Sequence, residues 1–276
     1  MSMLNRLWRT DPLLVGTGLF LAALTVPFGL GLVLDPRIIT GAPAWLKPLK
    51  FAVSTAIYTL TLAWVFTFLP DWPRTRRVVG AGTAAAFLAE VAMIAGQAWR
   101  GTTSHFNVAT AFDASIFAAM GAIIATQTVL AAVLAVVVWR QRFADPALGW
   151  ALRLGLILTV LGASTGGLMT RPTTAQIASA RATHQMPLSG AHTVGAPDGG
   201  PGLPLTGWST RHGDVRVPHF VGLHAWQVLP LFVLLVLRRG SDRTRAALAI
   251  GAAAVYAAVF AGLLVQALRG LPMLPL

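Results

Sequence analysis

The 276-residue sequence contains no cysteine. That excludes disulfides, thiolate metal centres, haem attached through thioethers and cysteine nucleophiles, so any chemistry must run on nitrogen and oxygen. Charge is scarce too: Asp, Glu, Lys and Arg make up 11% of the chain against 55% hydrophobic residues, and the mean hydropathy is +0.69. So little polar surface cannot cover a soluble globule of this size, and the composition is that of an integral membrane protein. Strands alternating polar and apolar residues are missing, which excludes a membrane barrel and leaves helices to satisfy the backbone. There is no Ser-centred elbow, no HExxH, no phosphatase motif and no internal repeat.

What the chain does have is apolar runs. Spans are expected at about 13–34, 50–69, 78–99, 115–138, 148–169, 219–237 and 246–268, each near the roughly 20 residues that cross a hydrocarbon core of about 30 Å. The expected fold is all-α, an integral membrane seven-helix bundle forming one transmembrane domain over 1–276. Arg6 and Arg9 precede the first run, but LLVGTGLFLAALTVPFGLGLVL is longer than a signal-peptide core and lacks a clean small-x-small cleavage site, so it reads as the first helix.

Basic residues set the expected orientation. With the N-terminus inside, Arg6 and Arg9, then Arg74, Arg76 and Arg77, then Arg140 and Arg142, then Arg238, Arg239, Arg243 and Arg245 all fall in short cytoplasmic segments. The C-terminus is then outside. The net charge of +12 fits this distribution, and no basic stripe interleaved with aromatics points to nucleic acid. All six histidines, His105, His184, His192, His212, His219 and His224, fall on the outer side.

Glu90 lies near the middle of the third span. Gln97, seven positions on, returns to nearly the same face about 10 Å nearer the outer surface, and the stripe leads to Arg100. An ionisable group at that depth costs at least about 2.5–3.5 kcal/mol and is a functional candidate, the plainer alternative being a protonated carboxyl bonded only for packing. The polar belt continues through RGTTSHFNVATAFD, which carries His105, Asn107, Thr110 and Asp113. Lys47 and Lys50 enter the second span nearby, either snorkelling to the interface or binding an anionic group.

Residues 170–218 form a long outer connection with a PDGGPG turn core and the apolar anchors Leu203, Leu205 and Trp208, read as a folded extracytoplasmic cap. Pro218 suits the first turn of the sixth span. His224 and Gln227 lie about 60° apart and face the interior, whereas His219 is about 140° from His224 and faces the cap or the headgroups. Gly162 and Gly166 have GxxxG spacing, a weak sign of a dimer.

The segments WLKPLKFA, GQAWRGTTSHFN, PDGGPGLP with GWS, and GDVRVPHFVGLHAWQ resemble a family of uncharacterised bacterial polytopic membrane proteins from about residue 41 to 231. The resemblance implies a coherent membrane protein and no particular reaction. A looser analogy to haem A synthase and other membrane haem proteins rests on helix-borne outer histidines alone.

Three functions are carried forward. The first is haem b or metal binding in a redox protein. It takes His105 and His224 as ligands, with His219 as a further metal candidate, and Arg100, Lys47, Lys50 or Arg216 pairing with propionates beside Gln97 and Gln227. The second is a hydrolase or transferase on a lipid-linked substrate, with His192, Asp214, His219 or His224 binding zinc or acting as base. The third is a transporter or ligand-sensing receptor that uses the Glu90 stripe. Glu90, Asp113 and His224 are the candidate catalytic groups. The expected partners are the lipid bilayer and a quinone or lipid-linked small molecule, and the expected location is the bacterial inner membrane with the site facing outward.

Overall fold

A computed structural model describes residues 2–275. Its regular structure is almost wholly helical. In chain order the elements are α1 (Met3–Thr10), α2 (Pro12–Leu34), the two-residue strands β1 (Ile38–Ile39) and β2 (Ala42–Pro43), α3 (Leu46–Phe66), α4 (Pro73–Trp99), α5 (Ala111–Arg140), α6 (Pro146–Ser164), α7 (Gly166–Met169), α8 (Thr174–Thr183), the strands β3 (Thr193–Val194) and β4 (Gly213–Asp214), α9 (Arg216–Leu235) and α10 (Asp242–Leu268). Seven helices are long and apolar enough to cross a membrane: α2, α3, α4, α5, the stretch beginning with α6, α9 and α10. This is the all-α seven-helix architecture expected from the sequence, with helix ends displaced by a few residues.

Local signals place the helix starts. Asp11–Pro12 and Asp145–Pro146 open α2 and α6 in the same way: the aspartate accepts backbone N–H groups of the first turn, and the proline sits where no donor is needed. Ser241 caps α10, and Thr173 with Gln176 forms a reciprocal capping box on α8. Pro218 falls in the first turn of α9, as its missing N–H requires.

The chain divides into two compact units, Met1–Leu130 with Pro172–Gly190, and Ala131–Arg171 with Ala191–Leu276. In the first unit, Leu21 and Phe28 of α2, Ala52 and Ala56 of α3, and Phe87 and Val91 of α4 form a shared core. Asp35, just past α2, accepts hydrogen bonds from Arg37 and from the indole of Trp45, and the Arg37 guanidinium holds its carboxyl well below the usual range. Trp45 then stacks on Phe28, which fixes the start of α3 against α2.

In the second unit, α6 and α9 meet backbone to backbone. A Cβ on Gly162 would lie 2.5 Å from the Cα of Gly222, and one on Gly155 would lie 2.7 Å from the Cα of Trp226. Close approach at small residues supplies dispersion contacts where lipid offers no hydrophobic drive. Gly162 thus serves contact within the unit. Tyr256 of α10 ties in by donating to the Val221 carbonyl at 2.6 Å.

The 170–218 segment is folded, and its parts fall in different units. Residues 172–190 belong to the first, where Val108 N–H donates to Pro187 O and Ser189 N–H to Phe106 O. Residues 191–215 belong to the second, where β3 pairs with β4 and Val215 N–H donates to His192 O. The division follows from local bonding: each half closes on carbonyls and amides of its own unit.

Candidate functional site

Glu90 is the only glutamate in the sequence, and α4 carries it fully inside the first unit at 1% exposure. Neither carboxyl oxygen has a hydrogen-bond partner among the described residues. Facing it is His105, whose Nε2 stands 3.8 Å from Oε1. That distance is too long for a hydrogen bond and short enough for direct electrostatic contact. Lys47, on the first turn of α3, is near enough for its charge to act on the carboxylate. Lys47 and Lys50 are the only lysines in the sequence; Lys47 is half-buried, whereas Lys50 is exposed.

His105 is held by a tightly bonded loop. Asn107 donates from Nδ2 to Thr102 Oγ1 at 2.9 Å and accepts from Ala109 N–H at 3.1 Å. Phe106 is buried in the left-handed region at φ +64°, an uncommon state for a bulky residue that its surroundings must enforce. Its ring lies edge-on to both His105 and Phe117. On the other side of the imidazole, Nδ1 is 3.1 Å from Ser104 Oγ, and Phe51 of α3 flanks the ring. Ser104, itself buried, completes a line of Ser104, His105 and Glu90. Which nitrogen carries hydrogen depends on the tautomer.

The outer part of the expected stripe forms a separate network. Asp113, in the first turn of α5, accepts from Gln97 Nε2 at 3.0 Å, Arg100 Nη1 at 2.6 Å and Thr110 Oγ1 at 2.7 Å. Arg100 also donates to Gln97 Oε1 and lies over the ring of Phe112. Every group here has a partner. The network closes both ends of the 100–110 loop and so positions His105. Asp113 and Arg100 therefore act as its anchors, with their polar groups already engaged.

The remaining candidates lie in the second unit. His219 Nδ1 is 2.8 Å from the Gly162 carbonyl and 3.2 Å from Thr165 Oγ1, which fastens α9 to the end of α6. His224 Nδ1 is 2.8 Å from the Phe220 carbonyl one turn back, with the two rings 4.1 Å apart. In both, a donor role for Nδ1 leaves the lone pair on Nε2. Gln227 is half-buried, and its Oε1 has no hydrogen-bond partner among the described residues. Arg216 makes a two-pronged ion pair with Asp214 and donates to Gly207 O, so its guanidinium organises the loop.

His192 meets Asp198 at 2.6 Å, and the same carboxylate accepts the N–H groups of His192 and Thr193. Burial alone would push the Asp198 carboxyl up, but the His192 bonds outweigh it and hold the group well below the usual carboxylate range. His184 ends α8 in the left-handed conformation, and His212 is exposed. Among the described residues no group of three or more His, Asp or Glu side chains is gathered that could hold a metal ion.

Sequence reasoning missed Ser104 and Asp198. Ser104 is next to His105 in the chain, but nothing in its spacing says that it turns back onto the ring. Asp198 sits in the PDGG turn, where an acid reads as turn chemistry. Compared with protein-family models, curated proteins and solved structures, the chain matches none.

Proposed function

We propose that this protein handles protons across or within the membrane, taking up and releasing a proton at the Glu90–His105 pair. This is the transporter or ligand-sensing reading of the Glu90 stripe. One observation carries it: a carboxyl group at 1% exposure inside a membrane-type helix with no hydrogen-bond partner on either oxygen. Such a group needs a proton or a cationic partner, and the imidazole at 3.8 Å can provide either. The location that suits this reading is a bacterial inner membrane, with the N-terminus inside and the 100–110 loop on the outer face.

Purified protein in liposomes loaded with a pH-sensitive dye tests it. An outward-directed proton gradient should collapse faster with wild type than with Glu90→Gln or His105→Ala. Equal rates for all three proteins and empty liposomes would overturn the reading.

A second reading is kept on one observation. His224 turns Nδ1 to a backbone carbonyl, and the resulting Nε2 lone pair is the form in which histidine binds haem iron. A Soret band in protein purified from haem-supplemented cells, lost in His224→Ala, would support haem b there. His105 is less suited to that role, because Ser104 and Glu90 occupy its two sides.

A further inference from the structure

We infer that α1 and the start of α4 form a binding site for the headgroup of an anionic phospholipid. Five arginines lie on these two segments. Arg6 and Arg9 are exposed on α1, and Arg74 and Arg77 are exposed on the first turns of α4. Arg76 joins the two helices, its Nη2 lying 3.4 Å from the Thr10 carbonyl. Among the described residues none of the five forms an ion pair, and the Nε of Arg76 is buried without a hydrogen-bond partner. The acids nearest in sequence are Asp11, which accepts the Leu14 N–H, and Asp71, which is exposed; among the described residues neither forms an ion pair, and the five guanidiniums outnumber them.

The apolar side of α1 completes the site. Leu7 is buried against the unit, while Met3, Leu4 and Trp8 are 68%, 50% and 48% exposed. A short helix that seats one leucine and leaves two aliphatics and an indole outward beside arginines is built to lie in a bilayer interface. There acyl chains meet the apolar side chains and phosphate meets the guanidiniums, which bind it in two-pronged fashion. The charge complementarity selects an anionic headgroup over a zwitterionic one.

The test uses the full-length protein in neutral detergent, titrated with acyl-labelled phosphatidylglycerol and separately with acyl-labelled phosphatidylcholine. Phosphatidylglycerol should bind more tightly, and the preference should shrink as salt is raised. Each arginine near the surface is worth about fivefold in affinity, ~1 kcal/mol converted. Arg6→Gln with Arg9→Gln, both exposed and so neutral to folding, should lower phosphatidylglycerol affinity by more than tenfold. Arg76→Gln with Arg77→Gln should do the same. Arg238→Gln with Arg239→Gln, a basic pair between α9 and α10, should leave it unchanged. Equal binding of the two lipids, equal losses in the control pair, or full displacement by millimolar inorganic phosphate would overturn the assignment.

Discussion

Nε2 of His105, on the loop that follows α4, and Oε1 of Glu90 stand 3.8 Å apart. Neither Glu90 carboxyl oxygen has a hydrogen-bond partner among the described residues, so stability and function should separate there. Glu90→Leu removes a buried carboxyl without a hydrogen bond and should raise thermal stability in detergent by about 1–3 kcal/mol, while abolishing proton movement. Glu90→Gln should insert and fold normally and be equally inactive. A leucine variant that is more stable and fully active would reduce Glu90 to a packing residue.

Asp113 gives the opposite signature. Asp113→Ala strands Arg100, Gln97 and Thr110 together, so the loop should loosen and the melting temperature should fall by several degrees. Hydrogen exchange should rise across 100–110. Exchange confined to the mutated position would mean that the network does not hold the loop.

Gly162→Ala drives a methyl group into the Gly222 backbone, where a Cβ has only 2.5 Å. Neither helix can yield by rotating a side chain, and the cost should be about 1–3 kcal/mol or more. Gly251→Ala is the control: nothing lies within 4 Å of its Cβ position, and alanine in a helix interior should stabilise by about 0.5–1 kcal/mol. Thermal melting of the two variants should therefore move in opposite directions.

The His192–Asp198 contact makes the 191–215 segment acid-sensitive. The folded carboxyl titrates below its ordinary value of 3.8, so its contribution is fully present above that pH and is lost as pH falls through the lower folded value. Limited proteolysis of this segment should be flat from pH 7 to about 4 and rise below. Asp198→Asn, which keeps the shape but weakens the bonds, should raise cleavage at neutral pH and flatten the acid limb.

Orientation has its own check. On the proposed orientation, with the arginine clusters inside, seven spans put the C-terminus outside, so a reporter fused after Leu276 should be active only in the extracytoplasmic space. Activity in the cytoplasm would invert the assigned sides.

The seven helices were legible because long apolar runs in a chain with 11% charged residues leave few other arrangements. The Glu90–Gln97 face was legible as well, since helical periodicity alone sets it. The way the stripe divides was not. Gln97 and Arg100 turn to Asp113 through hydrogen bonds made after the chain reverses, while Glu90 is left facing His105. Nor was the contact of His224 Nδ1 with the Phe220 carbonyl of its own helix legible. A helical histidine can always reach back one turn, and no sequence pattern distinguishes that choice from a tertiary one. The sharing of 170–218 between two units also depends on which amides find which carbonyls, as in Ser189 with Phe106, and composition does not encode it.

The line from Ser104 through His105 to Glu90 bears on selectivity. An imidazole can accept hydrogen at Nδ1 and release it at Nε2, so charge crosses the ring through bonds and not through a hole. On the proton-handling reading, the passage at this point needs no aqueous pore, and no hydrated ion, whatever its radius, can follow. The membrane can then admit protons at His105 and stay electrically sealed to sodium and potassium.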